Sequence, residues 1–331
     1  MKKAKLAALL IFGINFFSAP SYAQEALIVY GIADVGIVSD HGSSANGSIL
    51  QMQTGLQSQS RLGFKGKEDL GGGMSADFDM ESAVNVTNGA LVFSGLLFGS
   101  QVWAGMNGPM GSVKFGRMFT PYFGAIATTD PFDATGPGDA TRLYGASGYR
   151  MNNAVRYSLP ELGGWYGDFA YGFGGVAGDT VANRELSAAV GYLKGPLDIK
   201  IASHRTDDAT ATNATRNTMV GGTYDLASVK IWMSYAADKD DVSLDTREML
   251  IGATMPVGPH VFAADYIRKT DKFNTNANAN QLVFAYYYYL SKHTNTYTIF
   301  SRLTNDNAAS YSVAIPGTTD NIVAVGIRHK F

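Results

Sequence analysis

The chain has 331 residues, 46% hydrophobic and 16% charged, with 38 glycines, 18 tyrosines, no cysteine and a formal net charge of −2. The aromatic content excludes a disordered chain, the missing cysteine excludes disulfides and thiolate chemistry, and the near-neutral charge gives no footing for a nucleic-acid partner. The charged fraction lies below the roughly 25% of soluble domains, yet a mean hydropathy of −0.03 is far from that of a helical membrane protein.

In chain order, the first element reads as an export signal. Lys2, Lys3 and Lys5 precede an apolar run over 6–17; Ala19-Pro20 breaks it, and Ser21-Tyr22-Ala23 forms a small-x-small cleavage site. Cleavage after Ala23 leaves residues 24–331 as one domain outside the cytoplasm. Removing three lysines and no acid makes that domain more acidic than the full chain.

From there, period-2 alternation dominates and helical periodicity is almost absent. Ala76, Phe78 and Met80 oppose Asp77, Asp79 and Glu81; Leu197, Ile199 and Ile201 oppose Asp198, Lys200 and Ala202; Val229, Ile231, Met233 and Tyr235 share another face. The spacing predicts about sixteen strands, near 27–38, 57–68, 73–83, 100–107, 111–118, 152–159, 163–174, 184–194, 196–205, 216–225, 228–237, 246–256, 259–269, 280–290, 293–304 and 321–331. Tight turns such as Lys194-Gly195-Pro196 and Val257-Gly258-Pro259 alternate with long polar connections over 39–55, 206–216, 236–246, 269–280 and 304–320. A soluble sandwich has no reason for that regularity. A transmembrane barrel does, with short turns at its periplasmic end and long loops outside.

The solvent supplies the cause. In hydrocarbon every backbone N–H and C=O must pair internally, so a β protein must close on itself. Its outer face is then apolar and a wet interior is polar. The fold class is therefore all-β, a transmembrane antiparallel barrel. Aromatic residues near strand ends, among them Tyr30, Trp103, Phe115, Trp165, Tyr166, Tyr192, Tyr235, Tyr286 to Tyr289, Tyr297 and Phe331, are candidates for an interfacial girdle. Alternation places Asp34, Asp77, Asp79, Glu81 and Asp168 inward.

Several segments resemble the Gram-negative outer-membrane porins of the betaproteobacterial general-diffusion type. Leu27-Ile28-Val29-Tyr30-Gly31 looks like their first strand. Ser60-Arg61-Leu62-Gly63-Phe64-Lys65-Gly66 with Glu68-Asp69-Leu70-Gly71 is the most specific match. Phe115-Gly116-Arg117 resembles the strand leading to an inward-folded third loop, and Asn152-Asn153-Ala154-Val155-Arg156-Tyr157 the strand after it. The last residues, Val325-Gly326-Ile327-Arg328-His329-Lys330-Phe331, are similar to the terminal strand, whose final aromatic signals to the barrel assembly machinery. The resemblance implies a sixteen-stranded homotrimer in the outer membrane, surrounded by its lipids and passing small hydrophilic solutes and ions without cofactor or catalysis.

It also implies a constriction. The connection over 120–150 would fold inward carrying Asp130, Asp133 and Asp139. Arg61 holds the family's wall-arginine position; Arg142 and Arg150 fall where basic residues flank the loop's end. Lys65 shares Arg61's face by period 2, and Lys114 is a further inward candidate. Fixed charges between low-dielectric walls focus their field on a narrow wet path. One departure stands out: related porins carry an arginine just before the Gln-x-aromatic segment, where this chain has Ser100 before Gln101-Val102-Trp103. With the inward carboxylates pulling the other way, the sign of ion selectivity stays open.

Outer-membrane barrels are also enzymes or adhesins, and these are the alternatives. The five histidines fall in no metal-binding or nucleophile motif. His41 beside Asp40, and His204 near Asp207 and Asp208, lack a nucleophile and an orienting partner in sequence. Asp238, Asp240, Asp241 and Asp245 read as a solvated acidic loop rather than a metal site.

Overall fold

The structure, a computed structural model, describes residues 27–145, 148–274 and 276–331. The export signal expected over 1–23 lies outside the described residues. The strands are β1 (Ile28–His41), β2 (Ile49–Thr54), β3 (Arg61–Gly71), β4 (Met74–Ala83), β5 (Gln101–Gly108), β6 (Gly111–Phe119), β7 (Arg150–Ser158), β8 (Trp165–Gly172) and β9 (Glu185–Lys194). They continue as β10 (Leu197–Asp207), β11 (Ala214–Asp225), β12 (Lys230–Lys239), β13 (Asp245–Val257), β14 (His260–Asp271), β15 (Ala279–Tyr289), β16 (Thr294–Asn305) and β17 (Thr319–Lys330). A short α-helix, α1 (Pro121–Ala127), follows β6.

All neighbours pair antiparallel, and β17 returns to β1 from Ile32↔Lys330 to His41↔Asn321, so the sheet closes. Seventeen strands make sixteen staves, because β2 and β3 share one edge of β1: β2 pairs along Val35 to Asp40, β3 along Ile28 to Ile32. The other strands coincide with the sixteen expected from alternation. Strand β2 was not expected; it lies in the segment read as a long polar loop.

Between β2 and β3 the chain leaves the wall, and its freed backbone needs partners. Asp34 of β1 supplies them. Its buried carboxylate accepts the N–H groups of Gln57 (2.9 Å) and Ser58 (2.6 Å) and the Tyr297 hydroxyl (2.5 Å). The inward placement expected of Asp34 is thus met, in a structural role.

The two faces of each strand separate as the alternation requires. On β10, Ile199 and Ile201 are exposed outward, while Lys200, Ala202 and His204 are buried. On β17, Val323, Val325 and Ile327 are exposed and Ala324 and Arg328 are buried. Such an apolar belt is what a lipid-facing wall requires. The girdle expectation needs correction. Phe115, Trp165, Tyr235, Tyr286 and Tyr288 are exposed outward, but Tyr287 and Tyr297 are buried inside and Tyr30 and Trp103 face the interior charges. Phe331 sits at the seam, where its backbone exchanges hydrogen bonds with Gly31 (3.0 and 3.1 Å) and its ring covers that glycine.

Candidate pore constriction

The third connection, 120–149, begins as a helix because Thr120 caps it, accepting Phe123 N–H (3.0 Å), and Pro121 opens its first turn. Its buried side, Tyr122, Ala125 and Ile126, clusters with the inward residues Ala189, Ala202, Met219 and Ala236 of β9 to β12. The connection therefore runs along the inside of the barrel.

Asp130 shapes the next segment. Its carboxylate accepts Phe132 N–H (2.8 Å), Ala140 N–H (2.9 Å) and Ala134 N–H (3.0 Å), folding the chain into a hairpin-like turn. Asp133 and Ala134 take left-handed φ values of 54° and 50° at the tip. Beyond the tip, Gly136 (φ 68°) presses on the chain break between β2 and β3. A Cβ there would stand 1.9 Å from the Leu56 carbonyl oxygen, so only glycine fits.

The returning limb is bound to the wall at successive points. Arg142 donates to the Pro137 carbonyl (3.1 Å), Gln281 (3.2 Å) and Ser301 (3.0 Å), and pairs with Asp320. Lys269 donates to the Leu143 carbonyl (2.7 Å) and to Glu248 (2.6 Å), and Tyr144 shares a hydrogen bond with Ser234 (2.8 Å). With these ties spread over β12 to β17, the connection is a fixed shelf.

The opposite wall carries the open charges. Arg61, Lys65 and Lys67 of β3 share a face with Asp77, Asp79 and Glu81 of β4. Arg61 lies 3.5 Å from Glu81; Tyr30 donates to Asp79 (2.7 Å) and Glu81 (3.1 Å), and Gln101 to Asp79 (3.0 Å). Lys65 stands over the Tyr30 ring (4.9 Å) and Lys114 over the Trp103 ring (3.8 Å). Arg156 pairs with Asp168 (2.9 Å). A cavity of about 1000 Å³ opens among β1, β2, Pro137, Arg142 and Asp320, and one of about 750 Å³ among Lys65, Lys67, Asp77, Asp79 and Trp103.

The expected site residues divide into three groups. Arg61, Lys65 and Lys114 lie on the inner wall. Arg150 is also there, donating to the Ser100 carbonyl (2.7 Å) and stacked on Phe119 (4.2 Å) and Phe93 (4.6 Å), so Ser100 serves as its acceptor. Asp133 is exposed at the shelf tip, where surrounding protein raises its carboxyl above the usual range while Arg328, Lys330, Lys230 and Arg61 pull it down. The remaining three do not present charge to the path as expected. Asp130 is fully buried, its carboxyl oxygens turned onto backbone donors, and burial pushes its carboxyl up to about 8. Asp139 accepts Thr141 N–H (2.7 Å) and the Thr141 hydroxyl (2.6 Å), capping a short 3-10 turn. Arg142 is spent on its tether.

Sequence reading missed Lys230, Arg328 and Lys330, whose charges pull on the Asp133 carboxyl. The signal was present in the last strand, where Arg328 and Lys330 alternate with Val325 and Ile327, but that strand was read for its terminal aromatic alone. Of the histidines, His41 shares a hydrogen bond with Ser48 (2.6 Å), and no carboxylate orients its ring among the described residues. His204 is buried beneath Gly148.

A sequence model of the Gram-negative porin family matches residues 6–308. The chain is 28% identical to an outer membrane porin protein of Bordetella pertussis and 28% identical to outer membrane porin protein 32 of Delftia acidovorans, in each case over the whole of both chains. Among solved structures it resembles the anion-selective porin from Comamonas acidovorans, with a TM-score of 0.84 at 27% identity over 93% of this chain and all of the other. An outer membrane protein of Vibrio cholerae, OmpT in its trimer form, gives 0.71 at 14% identity over 93% of this chain and 99% of the other, a likeness of fold.

Proposed function

This chain belongs to the Gram-negative porin family, an integral outer-membrane β-barrel that passes small solutes by diffusion, and on that premise we propose that its selectivity resides in a charged constriction between the Asp133 tip and the wall cations. The support for this reading is the exposed position of Asp133 at the shelf tip, where the charges of Arg328, Lys330, Lys230 and Arg61 all act on its carboxyl. Lys230, Arg328 and Lys330 have no ion pair among the described residues, while Asp79 and Glu81 on β4 are already engaged by Tyr30, Gln101 and Arg61. A modest preference for anions follows, in keeping with the anion-selective relative. Passage needs no tight site: a polar solute of suitable sign exchanges water for fixed dipoles and charges, whereas an apolar one must disturb ordered water.

We read the channel as non-catalytic and homotrimeric. Membership in a family of diffusion channels supports the first, and the trimeric neighbour the second. Export by the 1–23 signal and insertion by the barrel assembly machinery complete the reading. Planar-bilayer recording in a salt gradient is the test. Stepwise conductance with a reversal potential on the anion side is expected; folded protein without conductance would overturn the channel, and a cation-side potential the assignment of sign.

A further inference from the structure

Four of the chain's seven glutamines fall within nine residues, as Gln51-x-Gln53 and Gln57-x-Gln59. Gln57 is engaged with Asn295 on the wall. We infer that the other three, together with amides of the connection between β4 and β5, form a binding subsite for neutral polyhydroxylated solutes of the oligosaccharide class at the outer mouth of the barrel. This subsite presupposes that the barrel is a channel.

Gln51 and Gln53 stand opposite Val38 and Gly36 of β1. Directly opposed residues of an antiparallel pair point to the same side. Val38 is buried inside, whereas Leu50 and Met52 are exposed outward, so the two glutamines face the lumen. Gln59 reaches the same space from the segment that leaves the wall between β2 and β3. All three line the cavity of about 1000 Å³, which also meets Gly136 and Pro137 of the shelf. Asn85, Thr87 and Asn88 line it as well. With Ser43 and Ser312 they belong to long connections, so the cavity opens at the long-loop end, ahead of the shelf.

The carboxamides are available. Gln51, Gln53 and Gln59 make no side-chain hydrogen bond among the described residues. Asn85 turns its oxygen onto the Thr87 N–H (3.0 Å) and hydroxyl (2.7 Å), and Asn88 its oxygen onto the Ala90 N–H (3.0 Å). Both asparagines keep their NH2 groups as donors. A carboxamide offers donors and an acceptor at once, and a sugar hydroxyl uses both.

Charge recognition has no footing in this cavity. The one cation that lines it, Arg142, is paired with Asp320, and Asp40 accepts the Ser43 N–H (3.2 Å). An anion therefore finds no uncommitted partner here, in contrast to the proposed constriction. Leu56, Leu91, Val92 and Ile322 give apolar patches for the C–H faces of a sugar ring, but no aromatic ring lines the cavity. Binding is accordingly of about millimolar strength, weak enough to release a solute in transit.

Two measurements on the folded full-length protein test this. Calorimetric titration with raffinose, in a detergent without a sugar headgroup, should give a saturable isotherm. Raffinose should bind about tenfold tighter than citrate, or than poly(ethylene glycol) of matching mass, which has acceptors along its length and donors only at its ends. In planar bilayers the same sugar should reduce open-channel current with the same half-saturation. Q51A/Q53A/Q59A should weaken binding about tenfold while the reversal potential in a salt gradient stays unchanged. N107A, on the inner face of β5 at its short-turn end, should leave binding intact. No saturation with raffinose, equal binding of citrate or of the glycol, unchanged affinity in the triple variant, or an equal loss in N107A would each overturn the subsite. Saturable sugar binding by protein that does not conduct would uphold the subsite and overturn the channel, so the two readings fail separately. The comparison among solutes uses the wild-type protein and decides the matter even if the triple variant fails to fold.

Discussion

Asp130 and Asp133 lie three residues apart and serve opposite ends. Asp130 is buried and holds three backbone N–H groups, so its carboxyl is structural; Asp133 is exposed at the shelf tip and is the acid that the proposed constriction would present to solutes. Replacing Asp130 by alanine would orphan those donors at about 1–3 kcal/mol each, and hydrogen exchange over 128–142 should accelerate sharply. Asp130 also predicts a pH dependence. Burial holds its carboxyl near 8, with Asp139 pushing the same way and the buried Asp265 carboxylate nearby on β14. A pKa above the ordinary value means that its contribution is complete below the normal carboxylate range and is lost as pH rises through about 8. Exchange in the shelf, corrected for intrinsic rate, should therefore be faster at pH 9 than at pH 6. At the constriction, Arg61→Ser should move the reversal potential toward cations and Asp133→Asn toward anions. A unit charge about 4 Å from a passing ion in water is worth about 1 kcal/mol, roughly a fivefold change in local ion ratio. An unmoved potential in both variants would remove these side chains from the path.

The third connection is the element on which the proposed constriction depends, and its stability is borrowed from the wall. Its helix has seven residues, too short to persist alone, and is held by apolar contacts with β9 to β12. Its tip rests on the break between β2 and β3. Gly136→Ala should unseat that contact, because the added Cβ collides with a backbone carbonyl and the left-handed φ strains it further. Arg142→Ala would leave the Asp320 carboxylate buried without its partner, a loss of about 3–5 kcal/mol for such a pair. Both variants should show a lower melting temperature in detergent and noisier open-channel current. Quiet current at wild-type stability in both would mean that the ties are not what holds the shelf. The features that escaped sequence reading here have physical reasons. Strand β2 alternates Leu50 and Met52 against Gln51 and Gln53, only two cycles among polar neighbours. Helix α1 is too short to show a period.

At the scale of the whole molecule, the barrel is one sheet whose ends meet, so every stave depends on closure. Phe331 joins the last stave to the first through its backbone bonds to Gly31 and its ring over that residue. Deleting Phe331 should reduce the amount of heat-modifiable, membrane-inserted protein while leaving export intact; normal assembly would show that the seam closes without it. The sequence was sufficient for the sixteen long strands, their inward and outward faces, the alternation of short turns and long loops, and hence the apolar belt and wet interior. Each of those properties arises from neighbours two residues apart or from the length of one connection, and a bilayer admits such strands only as a closed sheet. The tertiary structure alone decided which charges meet. Asp133 comes under the charges of Arg61, Arg328 and Lys330 because closure brings β17 and β3 to the two edges of β1, while Asp130 and Arg142, equally plausible in sequence, are turned into the protein. Sequence position determines the face from which a side chain points, but the distance between charges across a pore is set by the closed wall and by the path of the chain that fills it.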